Sequence, residues 1–226
     1  MSEDKNTGLD VAESIGKAES YIHDNKKSLS IIGGAIVLVV LAYFGYNQFI
    51  VKPQEESAQE EMFMAEQYFG QDSLNFAISG DGSYPGFQEI IDNYGSSPSG
   101  NLAHYYLGMS LLKKGEYEKA IEALKNYDAE DDITGALALG GIGAAYAELN
   151  NLDEALSFYK KASEWDQNNF TRPLFMMRQA FVYEQKKDYK SALDIYNQIK
   201  SDYPFSTEAR EIEKYIGRAE AMSANG

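Results

Sequence analysis

"LALGGIGAAYAELNNLDEALSFYKKA", residues 137–162, reads as two helices joined by a tight turn. Asn150, Asn151 and Asp153 supply the chemistry that stops one helix and caps the next. Two other stretches superimpose on it: "LAHYYLGMSLLKKGEYEKAIEALKNY", residues 102–127, and "LFMMRQAFVYEQKKDYKSALDIYNQI", residues 174–199. Each has a central small residue (Gly108, Gly143, Ala180), an alanine twelve residues on (Ala120, Ala155, Ala192), and a larger residue four further (Leu124, Tyr159, Tyr196). The alanines are spaced by 35 and 37 residues. Repetition at such a period marks a solenoid of stacked helical hairpins. The small residues are expected where paired helices approach closely, Gly108 or Ala180 against Ala120 or Ala192. A bulky side chain there would overpack the contact at a cost of about 1–3 kcal/mol. Leu124, Tyr159 and Tyr196 are expected to fill the space between neighbouring hairpins.

The small–aromatic–alanine–aromatic pattern resembles the tetratricopeptide repeat. The middle unit matches best, with Gly143, Tyr146, Ala155, Tyr159 and Ala162, and Pro204 falls where such a repeat often ends. Half-units flank the array. "YPFSTEAREIEKYIG", ending at Gly217, parallels "YGSSPSGNLAHYYLG", ending at Gly108, and predicts a capping helix over 208–222. Upstream, "GFQEIIDNY" from Gly86 reads as the second helix of a worn first unit, with residues 57–79 as its partner helix and "GDGSYP" as the loop. Terminal units of a solenoid are atypical because a regular one would leave an apolar face bare.

Before the repeats lies "KKSLSIIGGAIVLVVLAYFGYNQFIVK", residues 26–52. Its uncharged stretch, 28–51, makes about 36 Å of helix at about 1.5 Å per residue, enough for a hydrocarbon core of about 30 Å. Tyr43, Tyr46 and Phe49 suit a membrane interface. A cleaved signal would have a shorter apolar core and small residues after it; a buried core helix is the remaining alternative. The expectation is a membrane-spanning helix. Lys17, Lys26 and Lys27 precede it and only Lys52 follows closely, so the N-terminus is expected inside and the repeats outside the cytoplasm. Ser30 and Gly34 form a small-xxx-small pair, read either as a contact for another helix or as ordinary membrane-helix glycine usage. Leu9, Ala12, Ile15 and Ala18, three apart, read as a short amphipathic helix or a frayed tail.

The fold class is therefore all-α: one N-terminal transmembrane helix, then a tetratricopeptide-repeat solenoid. The organisation is a cytoplasmic segment over 1–27, the span over 28–51, a linker and degenerate repeat over 52–100, three repeats over 101–207, and a cap and tail over 208–226.

The 226 residues carry a net charge of -15, which argues against nucleic acid as a partner. There is no cysteine, hence no disulfide, thiolate ligand or thiol nucleophile. The two histidines, His23 and His104, are too few and too far apart for a metal site, and His104 reads as a packed residue. Glycines 140, 141 and 143 lie mid-helix with no Lys-Ser/Thr after them, unlike a phosphate loop. The acidic run from Asp128 lacks the spacing of a calcium loop. No catalytic residue, cofactor or metal is expected, and no stretch remains for an enzymatic module.

The informative surface is the concave face, lined in such repeats by the first helix of each unit. Counting from the small residues places there Leu102, Tyr105, Met109 and Leu112, then Leu137, Gly140, Ala144 and Ala147, then Leu174, Met177 and Phe181. That strip is apolar, and Met109 and Met177 lend it adaptability. It fits an apolar or helical segment of another protein. A plain core, covered by the capping helix or by residues 57–79, would have the same composition.

In the order of its parts the chain resembles the YfgM family of ancillary SecYEG translocon subunits. A short lead, "VAESIGKAESYIHDNKKSLSIIGG", precedes a single span; "AEQYFGQDSLNFA" and "GNLAHYYLGMSLLKKGEYEKAIEAL" follow. The resemblance implies a bacterial inner-membrane protein with its repeats in the periplasm. Its implied partners are SecYEG, a PpiD-like membrane-anchored chaperone and emerging polypeptides, with lipid around the span. The implied role is to link emerging chains to periplasmic chaperones. The alternative is a repeat scaffold for envelope assembly or cell division, since the repeat domain is shared with a division coordinator.

Overall fold

Gln71–Ser73 interrupts the helix expected over 57–79, and Asp72 there adopts a left-handed φ of 60°. The computed structural model describes residues 21–166 and 168–224, together with Ile15, Lys17 and Glu19. Every regular element among them is helical. Of the amphipathic N-terminal positions, Leu9, Ala12 and Ala18 lie outside the described residues.

Two compact units divide at Pro53 and Gln54. In the first, helix α1 (Lys26–Tyr46) runs into a short π-helical segment, Asn47–Val51. No residue of α1 is buried, and Ile31, Leu38 and Val39 stand open. The helix is apolar on every side. It is long and apolar enough to cross a membrane. Nothing lies within 4 Å of where a Cβ on Gly34 would project, so the Ser30–Gly34 face has no packing neighbour among the described residues.

The second unit holds α2 (Lys52–Gly70, from Gln54 onward), α3 (Leu74–Ser79), α4 (Phe87–Tyr94), α5 (Pro98–Lys114), α6 (Tyr117–Lys125), α7 (Asp132–Glu148), α8 (Leu152–Trp165), α9 (Thr171–Gln185) and α10 (Tyr189–Asp202). A 3₁₀ turn, Glu208–Glu211, leads into α11 (Ile212–Ala224). The hairpins α5/α6, α7/α8 and α9/α10 share one turn. One turn residue is left-handed in each: Gly115 (φ 84°), Asn150 (φ 57°) and Lys187 (φ 61°). The following amide then reaches back to the first helix: Glu116 to Leu111 at 2.9 Å, Asn151 to Tyr146 at 2.8 Å, Asp188 to Tyr183 at 2.9 Å. This closes carbonyls that helix ends leave open.

N-termini are capped in turn. Ser97 accepts from the Gly100 amide at 3.0 Å with Pro98 opening α5. Asp131 accepts from the Ile133 and Thr134 amides at 2.8 and 2.9 Å, and Asp188 from that of Ser191 at 3.1 Å. Helix α5 also gains an anion. Glu55 of α2 accepts from the Ser99 amide at 2.8 Å and its hydroxyl at 2.7 Å. Burial raises the Glu55 pKa, but hydrogen bonds led by the two from Ser99 outweigh it and hold the carboxyl below its ordinary value. The "GDGSYP" loop is pinned by Asp81, which accepts from the Ser83 and Tyr84 amides, both at 2.8 Å, and from the Tyr68 hydroxyl at 2.7 Å.

The core is a file of clusters, each shared by adjacent helices. Met62, Ala65, Phe87, Ile90 and Leu107 join α2, α4 and α5. Ile121, Leu124 and Ile142 join α6 to α7. Tyr159 and Phe175 join α8 to α9, and Tyr196, Ile212 and Ile216 join α10 to the cap. The atoms nearest Gly108 belong to Leu124 of its own hairpin, and Leu124 reaches on to Gly141 of the next hairpin, where a Cβ would come within 2.9 Å of it. Gly143 lies under the Tyr159 ring, which also stacks on Phe175 at 6.3 Å. Leu124 and Tyr159 therefore each do two jobs, closing their own hairpin and gripping the next. One side chain four residues past the alanine is long enough to span both gaps.

Candidate functional site: an apolar groove across three repeats

The first helices of the repeats, α5, α7 and α9, lie side by side and leave a cleft of about 390 Å³. Of the eleven groove positions expected from the sequence, Met109, Leu112, Leu137, Gly140, Ala144, Ala147, Leu174 and Phe181 line it. Leu174 and Phe181 also line an adjoining cleft of about 380 Å³, whose floor includes Met177 and whose far wall includes Thr207, Glu211 and Tyr215. The capping segment covers the third-repeat end of the expected strip, where Met177 packs with Ile212 and Ile216 and the Phe181 ring meets Tyr215 at 5.4 Å, and it does not line the main cleft. No side chain of α2 or α3 appears among the described residues lining either cleft.

Two expected positions lie elsewhere. Leu102 packs on the cluster between α2 and α5. Tyr105 joins an aromatic group with Tyr106 at 5.4 Å and Tyr127 at 5.6 Å, and burial raises its hydroxyl pKa to about 12. Both sit early in α5, Leu102 turned to the first unit and Tyr105 to the junction of α6 and α7. Met177 is only 7% exposed and belongs to the core between α9 and α11, so it supports the groove from below. Gly140, on the floor, is covered by the Phe175 ring.

Residues not anticipated complete the lining, among them Glu148, Tyr159, Arg178 and Gln185. Arg178 and Gln185 follow Leu174 and Phe181 by four residues each, so helical spacing alone would have found them. Arg178 lines both clefts and gives the apolar floor one cationic edge.

A larger cleft, about 500 Å³, opens on another side of the first full repeat, among Ile78, Gln88, His104, Leu107 and Lys119. His104 lies in its wall, and burial lowers its pKa, which keeps the imidazole neutral near pH 7. Its rim is already engaged: Glu116 pairs with Lys114 at 2.8 Å and Lys119 at 2.7 Å, which holds the carboxyl down at about 2. Among the described residues no three His, Asp or Glu side chains are grouped to hold a metal ion.

Sequence models of the tetratricopeptide repeat match residues 87–132, 136–169 and 175–206. The chain carries tetratricopeptide repeats. The first match begins at α4, which places the short upstream helix inside the repeat array. Tetratricopeptide repeat protein 29 of Macaca fascicularis is 29% identical over 104 residues, 42% of this chain and 22% of that one. The chain thus spans less than a quarter of that curated relative. Among solved structures, the nearly identical TPR-like repeats of a kinesin-light-chain candidate from Podosopora anserina superimpose with a TM-score of 0.60 at 11% identity, covering 76% of this chain and 89% of that one. A singly substituted form of the same repeats gives 0.59 at 12% identity, covering 76% and 88%. At such identity the likeness concerns the fold. Repeats of this kind are scaffolds whose curved face serves protein–protein contact.

Proposed function

We propose that the chain is a membrane-anchored repeat adaptor of the YfgM type, which holds its groove beside the SecYEG translocon and links emerging polypeptides to periplasmic chaperones. The observation that carries the reading is the pairing of two features in one chain. One is α1, apolar all round with no buried residue; the other is a groove whose floor is Leu137, Ala144, Leu174 and Phe181. Anchoring raises the local concentration of the groove near its partners, so weak apolar contacts suffice. The lysines before the span orient the repeats to the periplasm, with the N-terminus cytoplasmic.

The test is affinity purification of the tagged full chain from bacterial membranes in mild detergent. SecYEG subunits and a PpiD-like chaperone are expected in the eluate. Met109→Glu, at a half-buried groove position that also packs beside Gly141, should reduce their recovery at temperatures well below its own, modestly lowered, melting temperature. Recovery of SecYEG at background level would refute the translocon reading, and co-purification with division or cell-wall proteins instead would replace it.

A further inference from the structure

The groove does not end at its floor. Ile133 stands four residues before Leu137 on α7, and Phe170 four residues before Leu174 at the start of α9. Each is therefore one turn further along the groove-facing row. They hold equivalent places in successive repeats, ten residues before Gly143 and Ala180. Both stand open, 50% and 64% exposed. Phe205, in the loop before the cap, is 97% exposed and lines a small cleft of about 120 Å³ with Asn169, the neighbour of Phe170. Ile133 and Phe170 thus extend the groove-facing row by one turn in successive repeats, and Phe205 lies beside the start of α9, three exposed apolar side chains at the loop end of the groove.

The charge of that edge is predominantly acidic, with Lys125, Arg172, Lys200 and Arg210 just outside the loops. The loops 126–132, 166–170 and 202–207 carry Asp128, Glu130, Asp131, Asp132, Asp166 and Asp202, with no lysine or arginine. The opposite edge, formed by the three hairpin turns, is balanced. Over 113–119, 149–154 and 184–190, six lysines meet six acids. From Phe170 to Phe181 the row spans eleven residues, about 16 Å or three turns of a partner helix at about 1.5 Å per residue.

We propose that the lip formed by Ile133, Phe170 and Phe205 receives the basic end of an amphipathic helical segment of a partner protein, whose apolar face lies along the groove. This rests on the groove reading above and adds the partner's chemistry and direction. The acidic edge attracts cationic side chains and disfavours both anionic lipid and a second acidic copy of this chain. The exposed rings supply the apolar anchor.

The experiment uses the full chain in non-ionic detergent and two labelled helical peptides of Leu and Ala, one ending in clustered lysines and one in glutamates, read by fluorescence anisotropy. The lysine peptide should bind about tenfold more tightly, with a preference that shrinks as salt rises. Phe170→Ser with Phe205→Ser should weaken it about tenfold at an unchanged melting temperature, since both rings face solvent. Equal binding of the two peptides, or an unaffected double variant, overturns the lip. If Ala144→Glu on the groove floor still abolishes binding in that case, the groove stands without it. If neither peptide binds the parent chain, groove and lip fall together. Capture of phosphatidylcholine vesicles through the same two rings, with no peptide binding, would make the lip a lipid contact and overturn the proposal.

Discussion

Gly140 and Gly217 are both mid-helix glycines, and replacing each by alanine should move stability in opposite directions. Alanine is favoured over glycine in a helix interior by about 1 kcal/mol, because glycine loses more backbone freedom on folding. At Gly217, in α11, nothing lies within 4 Å of the new Cβ, so the gain is kept. Gly217→Ala should stabilise by about 0.5–1 kcal/mol. At Gly140 the new Cβ would lie 2.8 Å from Phe175 Cδ1, with Cε1 and Cζ nearer still, where ordinary contact begins at 3.4 Å. Phe175 has little room to retreat: it is 5% exposed and stacks on Tyr159 at 6.3 Å. Overpacking of a closed site costs about 1–3 kcal/mol, and a ring displaced against a second ring belongs at the upper end. After the helix gain is offset, Gly140→Ala should destabilise by about 1–2 kcal/mol. The measurement is the urea midpoint by far-UV circular dichroism, on the full chain in one detergent. Midpoints are compared rather than extrapolated energies, because stacked repeats need not unfold in one step. A Gly140→Ala chain at or above the parent midpoint would refute the close packing argued for the groove floor. As a cross-check, Phe175→Leu should cost less in the Gly140→Ala background than alone, a coupling of about 1 kcal/mol.

Lys187 holds the left-handed turn position that Gly115 holds in the first hairpin, and a side chain there is strained. Lys187→Gly should raise stability by about 1 kcal/mol, seen as a higher urea midpoint; a lower midpoint would show the turn relaxed. Glu55→Gln should cost about 1 kcal/mol at neutral pH by weakening the anion at the start of α5. The folded Glu55 pKa lies below its ordinary 4.5, so its contribution is complete above that pH and is lost as pH falls through the lowered folded value. Parent and variant midpoints should therefore converge on acidification below 4.5, and a constant gap would refute the assignment.

The architecture was legible because each of its rules is local. Gly143, Ala155 and Tyr159 recur with their counterparts at fixed offsets, and the Gly115 turn announces itself by residue type. The apolar stretch of α1 shows its length and lack of charge without reference to any neighbour. The groove row was readable for the same reason: Leu137, Gly140 and Ala144 follow from helical periodicity once the helices are known. Where the reading slipped, geometry across helices decided. Residues 57–79 carry no proline, and Gly70, Asp72 and Ser73, which mark the break, are each tolerated singly within a helix, so the apolar pattern on either side hid it.

Sequence by itself determined that this chain is a stack of helical hairpins following an apolar helix, because hydrophobic period, turn chemistry and length are properties of consecutive residues. Only the tertiary structure decided that Met177 supports the groove from within the core while Met109 lines it. It alone showed that Leu124 bridges two hairpins and that Phe205 shares a cleft with Asn169, the neighbour of Phe170. Those distinctions depend on how far apart the helices settle, which is set by side chains meeting from distant parts of the chain.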